Sequence, residues 1–271
     1  MKGYLARNPV LLAFVLVVMA FILAPLAVAV SIGFSSSPFL VFPPPGVSTK
    51  WIARFLGDPD FLASLRVSLA LASVVTVAGV IIALTLAFGL SHLERPRLKA
   101  ALSGLILAPL VFPVVLLAVG LLLLLAKMDL LGSPIGLVAA HLIIVVPLCF
   151  VTIQAAIDRL NPEIASAAAS LGAGPIRVFS TVTLPQIWAS VVGAGLLSFL
   201  FSLNDVTFAA FLGGSDTQTL PLKLFGYVRY RLDPLVGAVS AVFVFTTLAL
   251  ILLADQLVGF DRILGLQGDR S

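Results

Sequence analysis

Six apolar runs recur along the chain, at about 9–32, 63–90, 100–126, 135–157, 186–213 and 235–258, and they decide what it can fold into. Each approaches or exceeds the roughly 20 residues that a helix needs to cross a hydrocarbon core. Hydrophobic residues fill 61% of the 271 positions and charged residues 10%, and mean hydropathy is +1.19. Together these predict an all-α membrane protein with six transmembrane helices. Almost nothing is left outside the spans, so residues 1–271 are expected to form a single membrane domain with no separate globular part and no internal repeat.

The first run follows Lys2 and Arg7 and carries Ala27-Val-Ala29, which mimics a signal-peptide cleavage site. Its apolar stretch is too long for a signal peptide, so an uncleaved first helix is expected. With the amino terminus cytoplasmic, nine basic residues lie inside (Lys2, Arg7, Arg95, Arg97, Lys99, Arg159, Arg177, Arg262 and Arg270). Seven lie outside: Lys50, Arg54, Arg66, Lys127, Lys223, Arg229 and Arg231. That bias is slight, and the loop from Ser91 to Lys99 carries its clearest part. The formal charge of +4 is what cytoplasmic loops give a membrane protein and says nothing for nucleic acid. Cys149, alone in an apolar run, reads as a small core residue rather than a ligand or nucleophile.

The most informative connector lies between the fourth and fifth runs, at about 158–185: Asn161-Pro-Glu-Ile-Ala-Ser-Ala-Ala-Ala-Ser-Leu-Gly172, then Ala173-Gly-Pro-Ile-Arg-Val-Phe-Ser-Thr-Val-Thr-Leu-Pro185. Asn161 can cap a helix, Pro162 suits its first turn, Glu163 complements its positive end, and Gly172 can close it in a left-handed conformation. Gly174-Pro175 starts a second brief helix, and Thr183 before Pro185 reads as the cap of the next apolar segment. A helical elbow just outside the bilayer is expected.

That spacing resembles the EAA loop of the permeases of ATP-binding-cassette (ABC) importers: Glu-Ala-Ala, three residues, Gly, nine residues, Ile, any residue, Leu-Pro. Ser166, Ala167, Ala168, Gly172, Val182, Leu184 and Pro185 occupy those positions. Ser166 replaces the acid and Val182 the isoleucine, while Glu163 lies about one turn earlier on the same face. Leu107-Ala-Pro-Leu-Val-Phe-Pro113 and Leu131-Gly-Ser-Pro-Ile-Gly-Leu-Val-Ala-Ala-His141 resemble the third helix and the start of the fourth in the spermidine/putrescine branch. Phe201-Ser-Leu-Asn-Asp-Val-Thr-Phe208, Gly214-Ser-Asp-Thr-Gln-Thr-Leu-Pro-Leu222 and Val228-Arg-Tyr-Arg-Leu-Asp-Pro234 resemble the same branch. Val67-Ser68-Leu69 departs from its usual Asn-Ser-Leu. Cargoes within the branch include polyamines, ferric iron and thiamine.

Catalytic chemistry finds little support. A phosphate-cradling loop needs Gly-Lys, and the sequence contains no such pair. ATP and Mg are therefore expected on a partner ATPase, with no cofactor in this chain. His92, beside Glu94 and Arg95, reads as a solvated loop residue. His141, inside an apolar run, must find a partner, and neither Gly-x-Ser-x-Gly nor His-Glu-x-x-His accompanies it.

The resemblance implies a multi-pass permease of the bacterial inner membrane, both termini cytoplasmic, forming half of a pore for a small polar, polyamine-like solute. Implied partners are a second permease chain, two ATPase subunits and a periplasmic or lipid-tethered binding protein. Glu163, Ser166, Ala167, Ala168, Gly172, Leu184 and Pro185 are the implied ATPase-coupling residues. Pro109, Pro113, His141, Asn204 and Asp205 are expected along the path. The prolines can instead be packing kinks, His141 a hydrogen-bonded packing residue, and Asp205 a cap at a helix break or a bond to a neighbouring helix. Lys223, Arg229 and Arg231 are solvated loop charges or a dock for an acidic rim on the binding protein. The rival from another class is an ATP-independent secondary transporter or channel, for which paired polar breaks and several buried charges would be expected.

Overall fold

The protein, seen as a computed structural model, is described over residues 8–258. Lys2, Arg7, Arg262 and Arg270, which enter the orientation argument, lie outside the described residues. Helices dominate: α1 (Pro9–Gly33), α2 (Lys50–Gly57), α3 (Pro59–Ser91), α4 (Pro96–Leu107), α5 (Val114–Lys127), α6 (Pro134–Ile157), α7 (Pro162–Ser170), α8 (Pro175–Val178), α9 (Leu184–Asn204), α10 (Thr207–Leu212), α11 (Leu220–Tyr230) and α12 (Leu235–Val258). Among the described residues, five helical spans are long and apolar enough to cross a membrane, or six if the bent α4–α5 pair is one span. At 33 residues, α3 is about 50 Å long.

Two of the expected spans are not single helices. The third run breaks by 100°. Pro109 sits in a 3₁₀ turn (Ala108–Val111), Phe112 is extended at φ −84°, ψ 143°, and Pro113 opens α5. The ring of Pro113 disfavours a helical conformation at Phe112 and Pro113 lacks a backbone donor, so the pair of prolines makes a break where one helix is expected. The fifth run stops at Asn204, because Asp205 is extended (φ −68°, ψ 131°) and α10 begins two residues later. Before it, Thr183 is not a cap. Its backbone is helical, and a π-helical turn (Phe179–Thr183) carries the chain into α9, with Leu184 N–H donating to Phe179 O. One wide turn accommodates Pro185 without ending the helix.

Contacts divide the chain into two compact units. In the larger, 63–225 with 248–258 of the described residues, α6 is central: Leu137, Ala140, Ile144, Val145, Phe150 and Ile153 are buried against α3, α5, α9 and α10. Buried apolar area of this kind packs helices by dispersion and shape, since lipid tails are as apolar as leucine. In the smaller, 8–62 with 226–247, α1 and α12 touch backbone to backbone. A Cβ on Gly33 would lie 2.5 Å from Gly237 O, so only glycine permits that approach. Phe55, Phe61 and Tyr227 stack edge to face in the same unit.

Candidate functional site

The elbow forms as its residues require. Asn161 Oδ1 accepts from Glu163 N–H at 3.0 Å, and Pro162 and Glu163 fill the first turn of α7. At the other end Gly172 adopts φ +87°, with Ala173 N–H donating to Ala168 O and Gly172 N–H to Ala169 O. This is a Schellman closure. Ser166 Oγ donates to Pro162 O and Ser170 Oγ to Ser166 O, so both hydroxyls are turned onto their own helix.

Glu163, Ser166, Ala167, Gly172 and Pro185 are exposed and Ala168 is half-buried. Leu184 packs against the apolar core instead, so it supports the elbow rather than lying on its outer face. Leu171 and Ile176, not among the implied coupling residues, are 90% and 82% exposed. The available signal was a leucine and an isoleucine in a connector too short to bury them. Behind the elbow a cavity of about 630 Å³ is lined by Phe88, His92, Lys99, Asp158, Ala165 and Thr183 among others. Lys99 Nζ lies 3.6 Å from Asp158 Oδ1, which also accepts from Gln154 Nε2 at 2.8 Å. His92 is exposed there, as expected, with its ring on Phe88.

A second polar cluster lies inside the larger unit. His141 is fully buried; its Nδ1 is 2.9 Å from Ser202 Oγ and its Nε2 3.6 Å from Asp205 Oδ2. Asp205 Oδ2 accepts from Phe208 N–H at 2.9 Å and Ala209 N–H at 3.3 Å, which makes it the cap of α10. The Asp205 side chain is only 6% exposed. Asn204, beside it, is exposed and donates Nδ2 to Leu200 O. The structure thus joins His141, Ser202 and Asp205, turns Asn204 the other way, and leaves Pro109 and Pro113 at the α4–α5 break. Ser198 Oγ and Cys149 Sγ form a further buried contact at 2.8 Å, in keeping with a core role for the thiol.

Lys223 and Arg229 lie on α11 and Arg231 just beyond it. The start of α11 is fixed by Leu220 N–H, which donates to the buried Ser68 Oγ at 2.8 Å. In the amino-acid sequence Ser68 stands out only as part of a departure from the family pattern, because its partner lies 152 residues away. In the last turn of α11, Tyr227 Oη donates at 2.7 Å to Oδ2 of Asp233, which lies beyond the helix, and Arg54 Nη1 is 3.8 Å from the same oxygen. Burial, and then the neighbouring Asp233 carboxylate, push the Tyr227 phenol up from its ordinary value. The Arg231 guanidinium stands 6.0 Å over the Tyr227 ring. Exposed Tyr230 and Leu232 alternate with Arg229 and Arg231. No group of His, Cys, Asp and Glu able to hold a metal occurs among the described residues.

Comparison with known proteins shows the family. Residues 79–260 match the family model described as binding-protein-dependent transport system inner membrane component. The chain is 32% identical over 260 residues to the putrescine transport system permease protein PotI of Escherichia coli, covering 94% of this chain and 89% of that one. It is 28% identical over 262 residues to the spermidine/putrescine transport system permease protein PotC of Haemophilus influenzae, covering 94% and 97%. Its fold is similar to a chain of a bacterial ABC transporter involved in the import of the acidic polysaccharide alginate, with TM-score 0.74 at 14% identity over 95% of this chain and 97% of that one. With the family model spanning most of its length and PotI aligned nearly end to end, this chain belongs to the binding-protein-dependent transport system inner membrane components and is a multi-pass inner-membrane permease of an ABC importer.

Proposed function

We propose that this permease forms half of the pore of an ATP-driven importer for a small cationic solute of the polyamine class, as one membrane domain over 1–271 with both termini cytoplasmic. The observation that carries the cargo class is the 32% identity to a putrescine permease over 94% of the chain. Identity extending over nearly the whole of a transport chain favours a shared solute class over a shared fold alone. The proposed assembly has a second permease chain, two ATPase subunits that hold ATP and Mg, and a periplasmic or lipid-tethered binding protein. A crystal structure of the alginate transporter with its periplasmic protein has a similar fold, TM-score 0.72.

Each proposed surface has a physical basis. Ala167, Ala168 and Gly172 let a partner approach closely, and Leu171 and Ile176 offer it apolar anchors, so the elbow suits the ATPase. Glu163 supplies the acid that Ser166 lacks. An apolar cavity of about 510 Å³ between α6, α9 and α12, lined by Ala155, Ala189, Ser190, Gly193 and Ala254 among others, suits helix packing by the second permease. Arg229 and Arg231, interleaved with Tyr230 and Leu232, suit an acidic rim on the binding protein. Asn204 faces outward as a path residue would, and Asp205 adds negative charge close by.

The test is uptake of radiolabelled putrescine and spermidine by proteoliposomes holding the chain with its co-purified subunits. Uptake should require both ATP and the binding protein. Uptake by this chain alone, driven by an ion gradient, would establish the rival secondary transporter. ATP-dependent uptake of an anion but not of a polyamine would keep the machine and overturn the cargo.

A further inference from the structure

The segment that follows α1 carries the inference. From 34 to 49 it contains no charged residue: Phe-Ser-Ser-Ser-Pro-Phe-Leu-Val-Phe-Pro-Pro-Pro-Gly-Val-Ser-Thr. Its neck is tightly tied. Ser36 N–H donates to Gly46 O at 2.9 Å, Ser48 N–H to Phe34 O at 2.7 Å, and Ser35 bridges Val47. Ser35 is fully buried, Trp51 Nε1 donates to Ser37 O at 3.1 Å, and Lys50 Nζ donates to Ser36 O. The neck is polar and satisfied, and the tip is the reverse. Phe39, Leu40, Val41 and Phe42 are contiguous and all exposed, Phe39 by 70% and Phe42 by 59%, and Val47 is exposed by 85%.

We propose that this closed loop inserts its Phe39–Phe42 tip into the headgroup and acyl boundary of the bilayer, anchoring the end of α1 to the lipid surface. Three observations select lipid as the occupant. First, α1 is 25 residues long, about 37 Å, which exceeds a hydrocarbon core of about 30 Å and sets Gly33 at the membrane boundary. Second, the loop is doubled back on its neck and can extend no more than about 17 Å, so its tip stays within reach of the boundary that α1 has just crossed. Third, the tip is purely apolar and aromatic, while the exposed cations Lys50 and Arg54 lie on the adjacent amphipathic α2, whose Trp51 is buried beneath them. An apolar, aromatic tip beside exposed cations is the chemistry that binds a phospholipid interface. A soluble protein partner would leave that tip in water whenever it departed. The inference needs only the membrane-spanning character of the chain and does not depend on the cargo or the ATPase.

The test places a nitroxide at Phe39→Cys in the full-length chain, in the assembled transporter in lipid nanodiscs. Cys149, buried with Ser198, leaves the introduced thiol as the reactive one. A Ser215→Cys label serves as the exposed aqueous reference, and Leu40→Cys repeats the reading at a second exposed position of the tip. Collision of the label with oxygen relative to a water-soluble nickel chelate should exceed the reference ratio by about threefold, the signature of insertion into the interface. A ratio equal to that at Ser215 puts the loop in water and overturns the proposal, and loss of nickel access only after adding binding protein would make it a protein dock. Exclusion of oxygen and nickel together also overturns it, since another polypeptide then covers the tip.

Discussion

Asp205 Oδ2 lies 3.6 Å from His141 Nε2 while accepting the first free N–H groups of α10, so one carboxylate ties α6 to the break between α9 and α10. A carboxylate within an apolar segment is costly and needs such partners. The helix break supplies them, because unsatisfied N–H groups at a helix start favour an acceptor and a negative charge.

The cap and the charge can therefore be separated. Asparagine caps about as well as aspartate, whereas alanine loses about 1 kcal/mol. Asp205→Asn should leave thermal unfolding of the purified complex near wild type and Asp205→Ala should lower it. If the charge also serves the proposed cation path, Asp205→Asn should cut polyamine uptake several-fold with ATP hydrolysis and assembly retained. Normal uptake by that variant makes Asp205 a structural cap only.

Ser68→Ala removes the acceptor of the buried Leu220 N–H, and an orphaned buried donor costs about 1–3 kcal/mol. Ser68→Thr keeps the hydroxyl. The expected order of stability in a detergent melt is wild type, then threonine, then alanine. Equal melts for the alanine variant and wild type would show that α11 holds its start without this bond.

At the elbow, a Cβ on Gly172 meets nothing within 4 Å, so backbone conformation is what restricts the position locally. At φ +87° an L-residue costs about 1–2 kcal/mol. Gly172→Ala should weaken coupling modestly and Gly172→Trp should abolish retention of the ATPase on affinity purification. Leu171→Asp, which leaves the backbone alone, should also reduce retention. Full retention by both Leu171→Asp and Gly172→Trp would move the docking surface elsewhere.

Tyr227 has a raised phenol value in the folded protein. Its contribution is fully present below the ordinary tyrosine value of about 10 and is lost as pH rises through the higher folded value. Alkaline melts should fall more steeply above about pH 10 in wild type than in Tyr227→Phe, which has no phenol to ionise. Parallel curves would show that the Tyr227–Asp233 bond does not set alkaline stability.

Neutralising Arg229 and Arg231 together should raise the binding-protein concentration that gives half-maximal uptake, and more so at low salt, where steering is strongest. A change confined to the maximal rate would place these charges in the transport cycle rather than in docking.

Apolar runs, caps and the Schellman glycine are local signals, which is why five of the six expected spans, the remaining one as a bent pair, and the α7 elbow are legible in the amino-acid sequence. Composition sets burial in lipid, and Asn161, Pro162 and Gly172 each act on a backbone within a few residues of themselves. The breaks were less legible. Hydropathy is blind to the 100° turn at Pro113 and to the extended Asp205, because apolar content continues across both. Only tertiary structure decided that Asp205 meets His141, that Ser68 receives Leu220 across 152 residues, and that Leu184 supports the elbow from within. Those pairings come from packing distant helices together, and a polar group inside an apolar unit takes whichever partner that packing brings within hydrogen-bonding distance.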